Sequence, residues 1–136
     1  MPSLDINRFQ ILVLGEYDFF ELHLLNRDRT RWSTLSLELR TSLHWGGAVY
    51  LDGEIYIFGG TNSEKKTYKL NREMKWIRQA DMNEGRLAIS NSSVVFDGCI
   101  WVFGGRNNSE RHLNSVEKYK PEENKWIQMP FVSIRN

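Results

Sequence analysis

The nine letters DGEIYIFGG at positions 52–60 return as DGCIWVFGG at 97–105, 45 residues further on. A self-match at a fixed period constrains a fold strongly, because each copy must be one supersecondary unit that buries its apolar face on the next. The match extends outward: AVYLDGEIYIFGGTNSE (48–64) lies over VVFDGCIWVFGGRNNSE (94–110). Each block then leads through a second apolar segment to a tryptophan, KTYKLNREMKW ending at Trp76 and NSVEKYKPEENKW at Trp126. A weaker copy, FQILVLGEYDFFELHLLNRDRTRW, places Gly15 over Gly59 and Trp32 over Trp76. Arg40, Arg86 and Arg135 follow their tryptophans by eight to ten residues. Three units of 44–50 residues therefore fill nearly all of the 136-residue chain.

The local pattern is β throughout. Short runs rich in Val, Ile, Tyr, Phe and Trp are bounded by Gly, Asp, Asn or Pro. The Asp-Gly pairs at 52–53 and 97–98 mark two-residue hairpins, whose central positions both take positive φ. Only LNREMKWIRQADM hints at helical period, and the repeat alignment overrules it. Each unit reads as four strands: before the Asp-Gly, from there to the Gly pair, up to the Trp, and beyond it. In the second strand Ile55 and Ile57 face one way and Tyr56 and Phe58 the other, and Ile100 and Val102 oppose Trp101 and Phe103 in the same manner. Both faces are apolar, so the strand is expected to lie between two neighbouring sheets. Sheets stacked at this period are the blades of a radial array. The pairs Gly59-Gly60 and Gly104-Gly105 are expected where another backbone or a ring approaches closely. A phosphate-binding loop is excluded, since neither pair has the Gly-x4-Gly-Lys-Ser/Thr spacing ahead of a helix.

The string Asp-Gly-x-Ile-aromatic-Val/Ile-Phe-Gly-Gly, a variable loop and then SVEKYKPEENKW resembles the kelch repeat, with Tyr119 and Trp126 at that family's Tyr-x6-Trp spacing. The resemblance implies an all-β fold of kelch-type β-propeller blades, about three four-stranded antiparallel blades forming an incomplete propeller. The kelch-repeat region covers 1–136, with a degenerate first blade at 8–40 lacking its innermost strand, a second at 41–86 and a third at 87–136. Gly59, Gly60, Gly104, Gly105, Trp76, Trp126 and Tyr119 are its structural motif residues. Departures occur at Glu16, where a second Gly belongs, and at Leu25 and Leu70, which stand where Tyr119 stands. Kelch rings, as the family implies, usually close with more blades. The chain is therefore expected to be the N-terminal half of a BTB-kelch-type ring, with self-association of two half-propellers or an open array as the alternatives.

Composition excludes several classes. A formal net charge of +1 with no single-signed block gives no nucleic-acid footprint. No run approaches the roughly 18–20 apolar residues of a membrane helix, and MPSLDINRFQILVLGEY does not read as a signal peptide. The one cysteine, Cys99, excludes an intrachain disulfide framework, so a reducing, cytoplasmic setting is expected. It opens an apolar strand and reads as a small core residue. His23, His44 and His112 lack the close ligand company of a metal site. No nucleophile elbow is present. Copper oxidases on kelch-like propellers need Tyr, Cys and two His at the metal, and no such context is recognisable. The expectation is a non-enzyme with no catalytic residue, no metal and no cofactor.

Binding is the expected role, because propellers present loops from every blade on one surface. The loops after the Gly pairs supply the candidates: Asn62 and Ser63 in TNSEKK, and Arg106, Asn108 and Ser109 in RNNSERHLN. Arg106 would fork onto a partner's carboxylate, with Asn108 and Ser109 bonding the partner's backbone; the bland alternative is a solvated loop. GGRNNS also resembles the loop by which the oxidative-stress-sensing BTB-kelch adaptor contacts acidic degrons, a similarity that reaches Arg106 and Asn108 only. Arg86 and Arg135 are further candidates, either at a pocket rim or, with Arg40, in inter-blade ion pairs. The resemblance implies a protein partner or peptide degron. It further implies the substrate-recognition part of a cullin-based ubiquitin ligase adaptor, joined to the ligase through a domain absent here, or alternatively an actin-associated scaffold.

Overall fold

A computed structural model describes residues 9–14, 20–26, 28–37, 45–73, 75–109 and 111–130. Among them there is no helix, and all strand pairing is antiparallel. The first sheet contains β1 (Phe9–Leu14), β2 (Phe20–Asn26) and β3 (Trp32–Leu37) in that order. The second is a four-stranded meander of β4 (Gly47–Leu51), β5 (Glu54–Phe58), β6 (Thr67–Leu70) and β7 (Trp76–Arg78). The third repeats it with β8 (Ser93–Phe96), β9 (Cys99–Phe103), β10 (Val116–Lys120) and β11 (Lys125–Met129). The second and third units thus have the four expected strands. The first has three among the described residues, and positions 1–8, before β1, lie outside them. LNREMKWIRQADM holds the end of β6 and all of β7.

The repeated motif does two jobs, one at each end of its strand. Asp52 (φ 50°) and Gly53 (φ 83°), like Asp97 (φ 53°) and Gly98 (φ 70°), take positive φ at both turn positions and close tight hairpins. At the other end the Gly pairs meet the linker between the second and third blades. The Gly60 N–H donates to the Arg86 carbonyl at 3.0 Å. A Cβ on Gly59 would stand 2.8 Å from that oxygen, and one on Gly105 (φ 93°) would stand 2.7 Å from the Leu87 carbonyl. Linker backbone passes both pairs too closely for any side chain.

Among the described residues, a buried apolar cluster lies between the second and third blades. Tyr56 and Phe58 of β5 face Tyr119 and Trp126 across it, at centroid distances of 5.7 Å for Tyr56–Tyr119 and 5.7 Å for Phe58–Trp126. Val49 and Leu51 of β4 join this cluster, with Met82 and Ile89 from the linker. The Trp126 indole donates across the blades to Thr67 Oγ1 at 3.0 Å, and Asn124 Oδ1 accepts from the Ala80 N–H at 2.9 Å. Buried aromatic edges thus meet polar partners on the opposite blade, which fixes the packing angle as well as burying area. β5 is buried on both faces, as its pattern predicts. β9 is not: Ile100 and Val102 are fully buried, whereas Phe103 is 37% exposed. An apolar pattern on both faces says that a strand can be covered twice, not that both covers are present.

Tyr119 shows how the core answers to pH. Its phenol has no exposed surface and donates to Asn124 Oδ1 at 2.7 Å, with Gln79 Oε1 at 3.2 Å as the other acceptor. Burial, then the Glu54 charge, push its pKa up from 10.0 to about 12. Burial raises Tyr56 in the same direction. A raised folded pKa means that the unfolded chain loses its proton first. The stabilisation is therefore complete below pH 10 and is lost as pH rises towards 12. The melting temperature should fall between those values, and Tyr119→Phe should flatten the fall in a thermal-melt series. An equally steep fall in the variant would remove Tyr119 from this account.

Candidate binding surface

The linker after β7 builds the surface. Its N–H groups at Gln79, Met82 and Arg86 donate to the carbonyls of Thr67, Lys65 and Glu64, which stitches it to the second blade's loop. Beyond Arg86 it crosses to the third blade, where Leu87 and Arg106 exchange two backbone hydrogen bonds of 2.7 and 2.9 Å. Arg106 also bridges to His112. Two loops and a linker from consecutive blades are thereby fixed side by side.

Between them lies a cleft of about 430 Å³. Asn62, Ser63, Glu64, Lys65 and Lys66 line one wall, Asn107, Asn108 and Ser109 the other, and Arg78, Asp81 and Gly85 come from the linker side. The Asn107 side chain is consumed locally, its Oδ1 accepting from the Ser109 and Arg111 N–H groups at 3.0 Å each. This Asx-type turn pushes Asn108 and Ser109 outward, both exposed. Asn62 is exposed at the opposite tip with φ 64°. Lys65 and Lys66 carry no ion pair among the described residues, whereas Arg78 is held by Asp81 at 2.9 Å.

Four of the expected residues, Asn62, Ser63, Asn108 and Ser109, meet at this cleft. Ser63 contributes little surface of its own, being 4% exposed and built into the turn by the Gly60 and Lys66 backbone bonds. Arg106 stands apart from the cleft lining: its guanidinium lies 5.0 Å from the centroid of the Trp45 ring. Trp45, which the sequence reading left unassigned, is 46% exposed and holds φ 64°, rare for so bulky a residue. The ring thus lies within cation–π reach of the guanidinium.

Arg86 requires a correction. Of the two places expected, the pocket rim is excluded because the side chain has no exposed surface, and the inter-blade ion pair is the one found, with Glu117 of the third blade. Its Nε and Nη2 donate to Glu117 Oε2 at 3.2 and 2.9 Å, its Nη1 to the Gly104 and Ser115 carbonyls at 2.7 and 3.0 Å, and its Nη2 to Ser115 Oγ at 2.9 Å. All donor directions are used inside the protein, and the residue ties the linker to the third blade. Arg40 and Arg135 lie outside the described residues, as does His44. Cys99 is a free thiol, half-buried where a core position was expected. Among the described residues no three His, Cys, Asp or Glu side chains gather as metal ligands would.

Residues 90–130 match the family model described as Kelch motif. This is the third blade from the linker to the end of β11. The spermatocyte protein spe-26 of Caenorhabditis elegans is 39% identical over 111 residues, covering 75% of this chain and 20% of that protein. Among solved structures, a fungal alcohol oxidase of the AA5 family, in complex with copper, superposes with a TM-score of 0.64 over 93% of this chain and 30% of its own. At 21% identity that likeness shows the fold alone. The chain spans about a fifth of the curated relative and under a third of the solved one.

Proposed function

As the chain carries a Kelch motif, a repeat that serves as a protein-interaction module, we propose that the loop side of its second and third blades holds a protein segment. On this reading the segment is the degron of a substrate brought to a cullin-based ubiquitin ligase in the cytoplasm. The supporting observation is the convergence of loops from two consecutive blades on one cleft with the exposed tips Asn62, Asn108 and Ser109. Propeller loops of this kind are fixed by the scaffold and free to vary, which suits recognition. Lys65, Lys66 and Arg106, none with an ion pair among the described residues, favour a segment bearing carboxylates, which a guanidinium can bind bidentately. The function rests on this site, not on the fold, which hosts unrelated activities elsewhere.

A photo-cross-linking side chain at Asn108 should capture a partner that the same group at Glu122, on the 121–124 turn, does not. The captured protein should be one whose turnover stops when cullin ligases are inhibited. Arg106→Ala should weaken capture about tenfold, a typical loss for an interface arginine, with an unchanged melting temperature because its backbone bridges remain. Capture from Glu122 and not Asn108 would move the site to the other end of the blades. Co-sedimentation with actin filaments, with capture of actin at Asn108, would replace the ligase reading with a cytoskeletal one.

A further inference from the structure

Three places in the chain set an arginine three residues before a hydroxyl: Arg27 before Thr30, Arg31 before Thr34 and Arg106 before Ser109. Serine/threonine kinases with acidic substrate grooves read this spacing, the guanidinium forking onto a groove carboxylate while the hydroxyl reaches the phosphoryl donor. Spacing alone does not choose among the three; their surroundings do. Thr34 lies within β3 with its Oγ1 3.0 Å from His23 Nδ1, and Thr30 Oγ1 accepts from Asn26 Nδ2 at 3.2 Å. Ser109 is exposed in the loop between β9 and β10, and its hydroxyl makes no hydrogen bond among the described residues.

The loop is built to hold that hydroxyl outward. Asn107 Oδ1 accepts from the Ser109 and Arg111 N–H groups at 3.0 Å each, and the Asn107 N–H donates to the Arg111 carbonyl at 3.1 Å. These bonds close the turn on itself, and the paired backbones of Leu87 and Arg106 fix its base. Across the cleft stand Lys65 and Lys66, without an ion pair among the described residues, beside Glu64. Arg78 and Asp81, the other charges of the lining, neutralise each other at 2.9 Å. A phosphate at the tip carries nearly two negative charges and three acceptor oxygens. The two ammonium groups of the facing wall are the counterions within the same cleft.

We propose that Ser109 is a phosphorylation site for a kinase that selects arginine three residues before its target, and that the phosphate draws Lys65 and Lys66 across the cleft. In the transfer, Ser109 Oγ attacks the γ-phosphorus of ATP. The Oγ–P bond forms, the bond from that phosphorus to the β,γ-bridging oxygen breaks, ADP leaves, and the hydroxyl proton passes to the kinase's base. With both lysines engaged, a segment bearing carboxylates meets a filled and more negative cleft. That consequence rests on the function proposed above; the modification itself does not.

The test is incubation of the purified protein with ATP and a kinase of this specificity, read by mass spectrometry of its fragments. One phosphate on Ser109, and none on Thr30 or Thr34, is the expected result. Arg106→Ala should slow its appearance about tenfold, the loss of one charge-assisted contact to the kinase, and Arg106→Lys should recover part of the rate. If Arg106 served only to hold the loop, the Ala variant would free Ser109 and be modified faster. For the closure, phosphoserine is placed at position 109 by codon reassignment and followed by phosphorus NMR. Its second proton should leave at a pH lower by about 0.5 than in Lys65→Gln/Lys66→Gln carrying the same group, the effect of one close cation in water. Glu110, Arg111 and His112, which follow Ser109 on its own loop, are the same in both proteins. An unmodified Ser109, an Ala variant modified as fast as the natural chain, or equal titration of the two phosphoproteins would each overturn the proposal. Undiminished capture at Asn108 after a confirmed phosphorylation would count against the cleft as the segment's site and leave Ser109 as the modified residue.

Discussion

Arg86→Met should destabilise the chain by about 3–5 kcal/mol, the usual loss when one member of a buried ion pair is removed, read as a lower urea midpoint. The arithmetic is one-sided. Arg86 and Glu117 have no exposed side-chain surface, so neither charge can turn to water once its partner is gone. The Glu117 carboxylate also accepts from the Asn83 N–H at 2.7 Å, from Asn83 Nδ2 at 2.9 Å and from the Glu84 N–H at 3.1 Å. Those donors keep it buried after the guanidinium is removed. The Gly104 carbonyl loses its donor at the same time, and the Ser115 carbonyl keeps only the Gly104 N–H. Arg86→Lys keeps a charge but not the planar fork, and should fall between Met and the natural residue. Replacing both partners with apolar residues should not fully restore stability here, since the part-buried Asn83 and Glu84 N–H groups would lose their acceptor. A loss below about 1 kcal/mol for Arg86→Met would mean that the linker can detach from the third blade at little cost.

How far the sequence foretells this arrangement can be judged residue by residue. The Asp-Gly turns, the Gly pairs and the strand order follow from local chemistry repeated at a fixed period, and local chemistry is what a sequence displays. Arg86 is different. Its place in the repeat is visible, but its partner lies 31 residues on in another strand, and only the fold brings the two together. One signal was available: in β10, Glu117 and Tyr119 share the face that pairs with Val102 and Ile100. An acid on the apolar face of a strand calls for a buried cation. At the surface, the loops that form the cleft were readable as loops following the Gly pairs. The stacking of Trp45 on Arg106 was not, because it depends on a strand entry in one blade meeting a loop start in the next. Likewise, period-two alternation marked Trp101 and Phe103 as apolar without saying what covers them.

The equivalence of Trp126 and Trp32 makes the last prediction a comparison within one chain. Trp126→Ala should cost about 3–5 kcal/mol, as large aromatic truncations in cores do. It removes contacts to Phe58 and Tyr119 and leaves the Thr67 hydroxyl, itself fully buried, without its donor. Trp126→Phe retains most of the ring contact and loses the hydrogen bond, for about 1 kcal/mol. Trp32→Ala changes the same residue at the same register position, yet in dilute solution it should alter the melting temperature little, because half of the ring already faces water. The three melts separate the effect of sequence position from that of packing. The shape of the transition carries more. Repeat arrays hold together through the contacts between neighbouring units, and Trp126 belongs to the third blade while its acceptor, Thr67, belongs to the second. Its truncation should therefore loosen the coupling as well as lower the midpoint, and the single unfolding step should broaden or divide. A lower midpoint with an unchanged slope would instead mean that the linker, held by Arg86 and Glu117, suffices to keep the two blades in one cooperative unit.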